Sequence, residues 1–172
     1  MKKVLFFMLI LLAFACSDGE LQIETLDFDS ASIDFCTDPV ATSSNIFFKI
    51  NGDEALILEL PSGVLNNGVV GADTITTQST IPSQAQLTYR IFSNTVTSTY
   101  FCSDIPPASP TVTEEIEAED GLVIIKTIAN ADTTAYNHTI ELSNITLING
   151  IGERITDLSI NEYGEVTTAI SN

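Results

Sequence analysis

His138 is the single histidine in this sequence, so any Ser-His-Asp or Cys-His nucleophilic mechanism would have to run through it. The residues around it alternate as in a β-strand, which places His138 on one face with Tyr136, Ile140 and Leu142. No serine stands in a nucleophile-elbow pattern. We therefore interpret His138 as a sheet-face histidine whose ring nitrogens bond locally, and we predict no catalytic residue.

Carboxylates gather in two places, where they could hold Ca²⁺ or act as the paired acids of a glycosidase. Neither group has the spacing of an EF-hand. The weak metal candidates are Asp27, Asp29, Asp34 and Asp38, and the second group is Glu114, Glu115, Glu117, Glu119 and Asp120. Alternate members of the second group fall on one side of a strand pattern, which is typical of a solvated face. We predict no specific metal site and no cofactor, and at most weak association with divalent cations.

The N-terminus has the parts of a secretory signal peptide. Lys2 and Lys3 precede an apolar run over residues 4–14, which is followed by the small residue Ala15. The run is shorter than the ~20 residues that a membrane-spanning helix needs. It therefore predicts export rather than a permanent span.

Cys16 follows this run directly, and the segment resembles the lipobox of bacterial lipoproteins. The resemblance implies that Cys16 becomes the new N-terminus and carries a diacylglyceryl thioether with fatty acids such as palmitate. Ala13 stands where the usual box has leucine, and looser boxes followed by acids such as Asp18 and Glu20 resemble those of Bacteroidota. This implies a lipid-anchored protein of the cell envelope, on the surface or periplasmic face of the outer membrane.

The alternative is that Ala13-Phe14-Ala15 serves ordinary signal peptidase and the protein is secreted in soluble form. Three cysteines would then enter an oxidising compartment and leave one free thiol. If Cys16 carries lipid instead, Cys36 and Cys102 remain as a pair. We predict that these two form a structural disulfide.

We divide the chain into a signal peptide over residues 1–15, a lipidated N-terminus with a short tether over residues 16–20, and one domain over residues 21–172. After the signal peptide is removed, four basic residues and all 23 acidic residues remain, a formal charge of −19. Such a surface repels polyanions, which excludes nucleic acid as a partner.

Strand-forming residues in short alternating runs predict an all-β domain. Residues 46–50 and 55–60 flank Asn51-Gly52, a hairpin signal, and residues 85–91 alternate as a strand with one buried face. We further predict a strand over residues 96–102, a turn at Asp120-Gly121, a bulge at Ser143-Asn144 and a turn over residues 161–164.

Every proline lies between these runs, where it does not interrupt a sheet ladder. Nine to eleven strands at this spacing favour an antiparallel β-sandwich, Ig-like in general architecture and stapled by one disulfide. A β-barrel is the alternative.

The mature chain also resembles small lipoproteins of flavobacteria in its Phe-Cys positions and in Tyr89-Arg90-Ile91-Phe92-Ser93. Three Asp-[Ser/Thr]-x triplets resemble O-glycosylation sites of Bacteroidota proteins, which implies modification at Ser30, Thr74 and Thr133. The scarcity of residue types used in catalysis favours a non-enzymatic binding or structural module of the envelope.

Two alternatives to that function are retained. A glycan- or peptide-binding accessory of a surface uptake system would expose an aromatic patch from Tyr100, Phe101 or Tyr163, although the absence of tryptophan counts against glycan recognition. A carboxylate-based hydrolase would hold two carboxyl groups in a cleft.

Overall fold

The computed structural model describes residues 26–66, 68, 73–131, 134–152, 154–155 and 161–169. Cys16 and Thr133 lie outside these residues. The strands are β1 (Asn45–Asn51), β2 (Glu54–Leu60), β3 (Thr74–Ile81), β4 (Gln86–Phe92), β5 (Val112–Ala129), β6 (Ala135–Ile148), β7 (Arg154–Ile155) and β8 (Glu162–Ala169), and the helix is α1 (Ser98–Cys102). No helix of the described part is long and apolar enough to span a membrane.

The strands form one antiparallel sheet, ordered β1-β2-β4-β5-β6-β7, with β3 paired to β5 and β8 paired to β6. The sheet curls into a half-barrel. The all-β antiparallel prediction is confirmed, whereas the two-layer sandwich is not, because the two halves of the sheet are continuous through β5. Eight strands lie in the described residues, against the nine to eleven predicted.

The long strand β5 joins the two halves of the sheet. Its first part pairs with β4 at residues 112–117, and its second part pairs with β3 at residues 121–128. The predicted turn at Asp120-Gly121 is wrong, because the backbone bulges there and continues as a strand. Gly121 has a φ of 148°, and a Cβ at this position would lie 2.5 Å from Ile145 Cδ1. Only glycine fits at this bulge, where β5 and β6 pair closely.

The other turn predictions had mixed outcomes. The hairpin is confirmed, with β1 paired to β2 around Gly52, whose φ is 65°. The bulge near Asn144 is also confirmed, since the register with β5 shifts there and Asn144 has a φ of 55°. The predicted turn over residues 161–164 is wrong at its end, because β8 already begins at Glu162.

The main core fills the inside of the curl with side chains from both halves of the sheet. Leu56 and Leu58 of β2, Val123 of β5, Ile140 of β6 and Tyr163 of β8 are all fully buried in it. A smaller cluster lies on the opposite face of the first half, around Phe48, Ile57 and Phe92. The first half of the sheet is therefore buried on both faces, which explains why residues 55–58 form an unbroken apolar run.

Helix α1 covers this second face. Phe101 stacks on Phe48 with ring centroids 4.4 Å apart, and Tyr100 meets Phe92 edge-on at 4.9 Å. The Cys36–Cys102 disulfide ties the end of α1 to the segment before β1. The predicted disulfide is thus confirmed, and the predicted strand over residues 96–102 is wrong because residues 98–102 are helical.

Candidate functional site

His138 is completely buried between β5 and β8. Its Nδ1 lies 2.7 Å from Thr127 Oγ1, and its Nε2 lies 2.8 Å from Thr168 Oγ1. A neutral imidazole has one donor and one acceptor nitrogen, and two hydroxyl groups complement both. Burial lowers the pKa of His138 to about 4. The interpretation as a locally bonded sheet-face histidine is therefore confirmed.

The weak metal candidates lie in the segment before β1 and are not brought together. The carboxylate of Asp27 accepts a hydrogen bond from the Asp29 amide, and the backbone of Asp34 bridges to Phe48. Asp38 is exposed further along the same segment. Among the described residues, no group of three or more His, Cys, Asp or Glu side chains is placed to hold a metal ion.

The second acidic group lies along the first part of β5. Glu114, Glu115, Glu117 and Glu119 are exposed, while Ile116 and Ala118 between them are buried. Glu115 accepts a hydrogen bond of 2.7 Å from Arg90 Nε on β4. Glu115, Glu117 and Glu119 form the solvated face that the alternation predicts.

The remaining predicted residues fall in different places. Ser30 and Thr74 are exposed, as a modified hydroxyl must be, and the third position lies outside the described residues. Tyr163 is fully buried, and Tyr100 and Phe101 are half-buried against the second face of the sheet. These three aromatic residues therefore do not form one exposed patch.

A cavity of about 590 Å³ opens where the curled sheet brings β8 close to β1. We call it the Lys49 pocket. The N-terminal segment before β1 forms one wall, and the start of β8 forms the other. Its lining comprises Asp29, residues 31–33, Lys49 and residues 161–165.

Lys49 reaches this pocket because of strand alternation. On β1, Phe47 and Lys49 point to the inside of the curl, whereas Phe48 points to the second face. Phe47 enters the main core, and Lys49, two residues on, meets the pocket at its edge. The Lys49 side chain is only 4% exposed.

The ammonium of Lys49 has an aromatic ring as its close neighbour. Its Nζ lies 5.8 Å from the centre of the Tyr163 ring, a cation–π contact. Neither of the ion pairs among the described residues involves Lys49. Burial lowers the pKa of Lys49, and the nearby carboxylates of Asp29 and Glu162 offset part of that effect. The pocket thus holds a poorly hydrated cation without a carboxylate in contact.

Charges in the pocket are arranged in two levels. Lys49 and Tyr163 are buried at its base. Asp29, Glu162 and Glu165 are exposed and stand at its rim. A ligand entering the pocket meets negative charge first and positive charge at the bottom.

Sequence reasoning missed this site, although one signal was present. Lys49 is a cation at an inward position of the apolar run Ile46–Ile50, in a chain with few basic residues. A charged residue on the buried face of a strand is rarely accidental.

No protein-family model, no curated protein and no solved structure matches this chain. Its class is therefore defined by its own features: an antiparallel all-β domain, stapled by one disulfide, with a lysine-based pocket at the opening of the curl.

Proposed function

We propose that this chain is a non-enzymatic binding module of the bacterial cell envelope, anchored to the outer membrane by lipid on Cys16, and that it binds a small organic carboxylate in the Lys49 pocket. The observation that carries the binding proposal is Lys49 itself, 4% exposed in a cavity, with no ion pair to another described residue.

The cost of burying such a cation supports a functional role. Removing an ammonium from water costs several kcal/mol unless a partner compensates it, and the Tyr163 ring returns only about 1–2 kcal/mol. The carboxylates of Asp29 and Glu162 attract Lys49 without forming an ion pair with it. A ligand carboxylate could accept charge-assisted hydrogen bonds from the three ammonium protons. Groups held in a costly state tend to cluster at binding sites.

The anchor would hold this pocket near the membrane. Asp29 lies thirteen residues beyond Cys16. Even a fully extended chain of that length reaches only about 45 Å, at ~3.5 Å per residue. The pocket wall formed by Asp29 and residues 31–33 belongs to the segment that follows the lipidated cysteine, so a captured ligand would be held within this distance of the bilayer.

Binding is tested by NMR titration of the full chain, exported and purified in detergent micelles, with acetate, propionate and benzoate as probes. Shifts should concentrate on residues 29–33, 49 and 161–165. Lys49→Met should weaken binding at least tenfold. The matched control is Lys126→Met, since Lys126 is 47% exposed and pairs with Glu141 on the sheet surface. Equal binding by wild type and Lys49→Met would overturn the binding proposal.

The anchor is tested separately by mass spectrometry of the mature N-terminus. The proposal expects an N-terminal peptide that begins at Cys16 and carries the mass of a diacylglyceryl group with its acyl chains. Cys16→Ala should leave the protein unprocessed at this site. A chain that retains Met1, or one that begins with an unmodified Cys16 thiol, would contradict the anchor.

A further inference from the structure

The rim of the Lys49 pocket carries charge opposite to its base, and this selects among the ligands that could reach Lys49. We propose that the pocket takes a small zwitterion, a free amino acid or a dipeptide, with its carboxylate on Lys49 and its ammonium among the rim carboxylates of Asp29, Glu162 and Glu165. This inference rests on the proposed function and specifies its ligand class.

A simple anion fits only half of this arrangement. It would find a counter-ion in Lys49, but it would lie beside three exposed carboxylates. It would also approach a protein whose formal charge is strongly negative. Like charges at a few ångströms cost free energy even near a surface. An anion without a positive group should therefore bind weakly.

A simple amine fits only the other half. The rim carboxylates would attract it, but its hydrocarbon part would point toward the buried ammonium of Lys49 and would bring no anion into contact with that ammonium. A zwitterion supplies both counter-charges at once and has no net charge to be repelled at long range. The order of charges, positive at the base and negative at the rim, fixes its orientation with the carboxylate inside.

The size of the cavity agrees with this class. About 590 Å³ lies within the usual range for small-molecule pockets. That volume exceeds what acetate needs and accommodates an amino acid or a dipeptide with its side chain. Ile33, which is half-buried, supplies apolar wall beside the charged groups. Gly164 approaches Ile33 so closely that a Cβ there would lie 2.8 Å from Ile33 Cδ1, so a larger residue at position 164 would displace this wall.

The test compares matched ligands that differ in one charge. The full chain in micelles is titrated with L-leucine, with 4-methylpentanoate, which lacks the ammonium, and with 3-methylbutylamine, which lacks the carboxylate. The other free amino acids and dialanine extend the series. At least one zwitterion should bind ten or more times tighter than its deaminated and its decarboxylated counterparts.

Variants separate the roles of rim and base. Glu162→Gln and Asp29→Asn should each weaken zwitterion binding several-fold and leave 4-methylpentanoate equally or more tightly bound. Glu114→Gln is the matched control, because Glu114 is exposed on β5 and does not line the pocket. Lys49→Met should abolish binding of both carboxylate ligands.

The outcomes distinguish the zwitterion inference from the carboxylate-binding proposal on which it rests. If 4-methylpentanoate binds as tightly as every zwitterion, and Lys49→Met loses both, the zwitterion inference is wrong and the carboxylate site stands. If no carboxylate ligand of either kind binds, both fail.

Discussion

The hydroxyl group of Tyr163 on β8 donates a 3.0 Å hydrogen bond to the main-chain oxygen of Leu56 on β2. The two residues are 107 positions apart, and their strands lie in opposite halves of the curled sheet. Leu56 is also the register partner of Lys49. This bond therefore links the two halves of the sheet beside the pocket and holds the Tyr163 ring near Lys49.

Tyr163→Phe should destabilise the domain by about 1–2 kcal/mol, because it removes a buried hydrogen bond and leaves a polar atom without its partner. Burial raises the pKa of Tyr163 well above its ordinary value, with a smaller opposing effect from the Leu58 backbone, so the hydroxyl stays a donor throughout the working pH range. Denaturant unfolding monitored by circular dichroism measures the change. Tyr136→Phe on the outer part of β6 is the control, and a loss of the same size there would remove the special role of Tyr163.

His138 should make the stability of the protein depend on pH. Its pKa is about 4 in the folded state and ~6.5 when unfolded, so the unfolded state binds more protons between these values. The stabilisation is complete above pH 6.5 and is lost as pH falls toward 4. Between pH 7 and pH 5 the loss should be about 2 kcal/mol.

Because the chain has one histidine, its C2 proton gives one NMR signal whose midpoint can be read directly. A midpoint near 4 is expected. His138→Gln should flatten the pH dependence of unfolding between pH 7 and pH 5. A midpoint near 6.5 in the folded protein would show that the ring is not held neutral by burial.

Gly121→Ala should destabilise the domain by about 2 kcal/mol or more. The new methyl group would meet the Ile145 side chain and lie 3.3 Å from Ile145 Cα, and the backbone would be held at a φ that disfavours alanine. Thermal unfolding of Gly150→Ala provides the comparison, since a Cβ there has open space around it. Equal melting temperatures for the two variants would mean that β5 and β6 do not approach each other this closely at Gly121.

Loss of the Cys36–Cys102 disulfide should lower the free energy of unfolding by about 4 kcal/mol, the chain-entropy value for a loop of this length. Near-ultraviolet circular dichroism should also change, because Tyr100 and Phe101 lose the tether that holds α1 on the sheet. The double variant Cys36→Ser/Cys102→Ser should match the reduced wild type. If reduction changed neither the free energy of unfolding nor the near-ultraviolet spectrum, the disulfide would not stabilise the fold.

Local patterns were sufficient to predict the strands whose alternation and turns depend only on neighbouring residues. The hairpin at Gly52 and the buried face of β4 through Leu87 and Tyr89 are such cases. The turn prediction at Asp120-Gly121 was wrong because the residue types that make a turn also permit a strand to bulge and change partners. The choice depends on β3, whose last residue, Ile81, pairs with Gly121 40 positions later in the chain.

The strand prediction over residues 96–102 was wrong for a similar reason. Their strand-forming composition is overridden by the disulfide and by the exposed apolar face that α1 covers. The Lys49 pocket could not be predicted from the sequence, because Lys49 and Tyr163 come close only when the sheet curls. A single sequence shows the unusual lysine but not the residues that surround it.

The most direct test of the Lys49 site is a pH and ligand titration of the chain labelled with ¹³C at lysine Cε. After removal of the signal peptide only Lys49 and Lys126 would give signals, so each serves as the other's reference. We predict that the Lys49 signal titrates below the ordinary lysine pKa and shifts on addition of a carboxylate ligand, while the Lys126 signal does not respond to the ligand. A Lys49 signal that titrates like a free lysine and does not shift with any carboxylate would contradict the proposed Lys49 site.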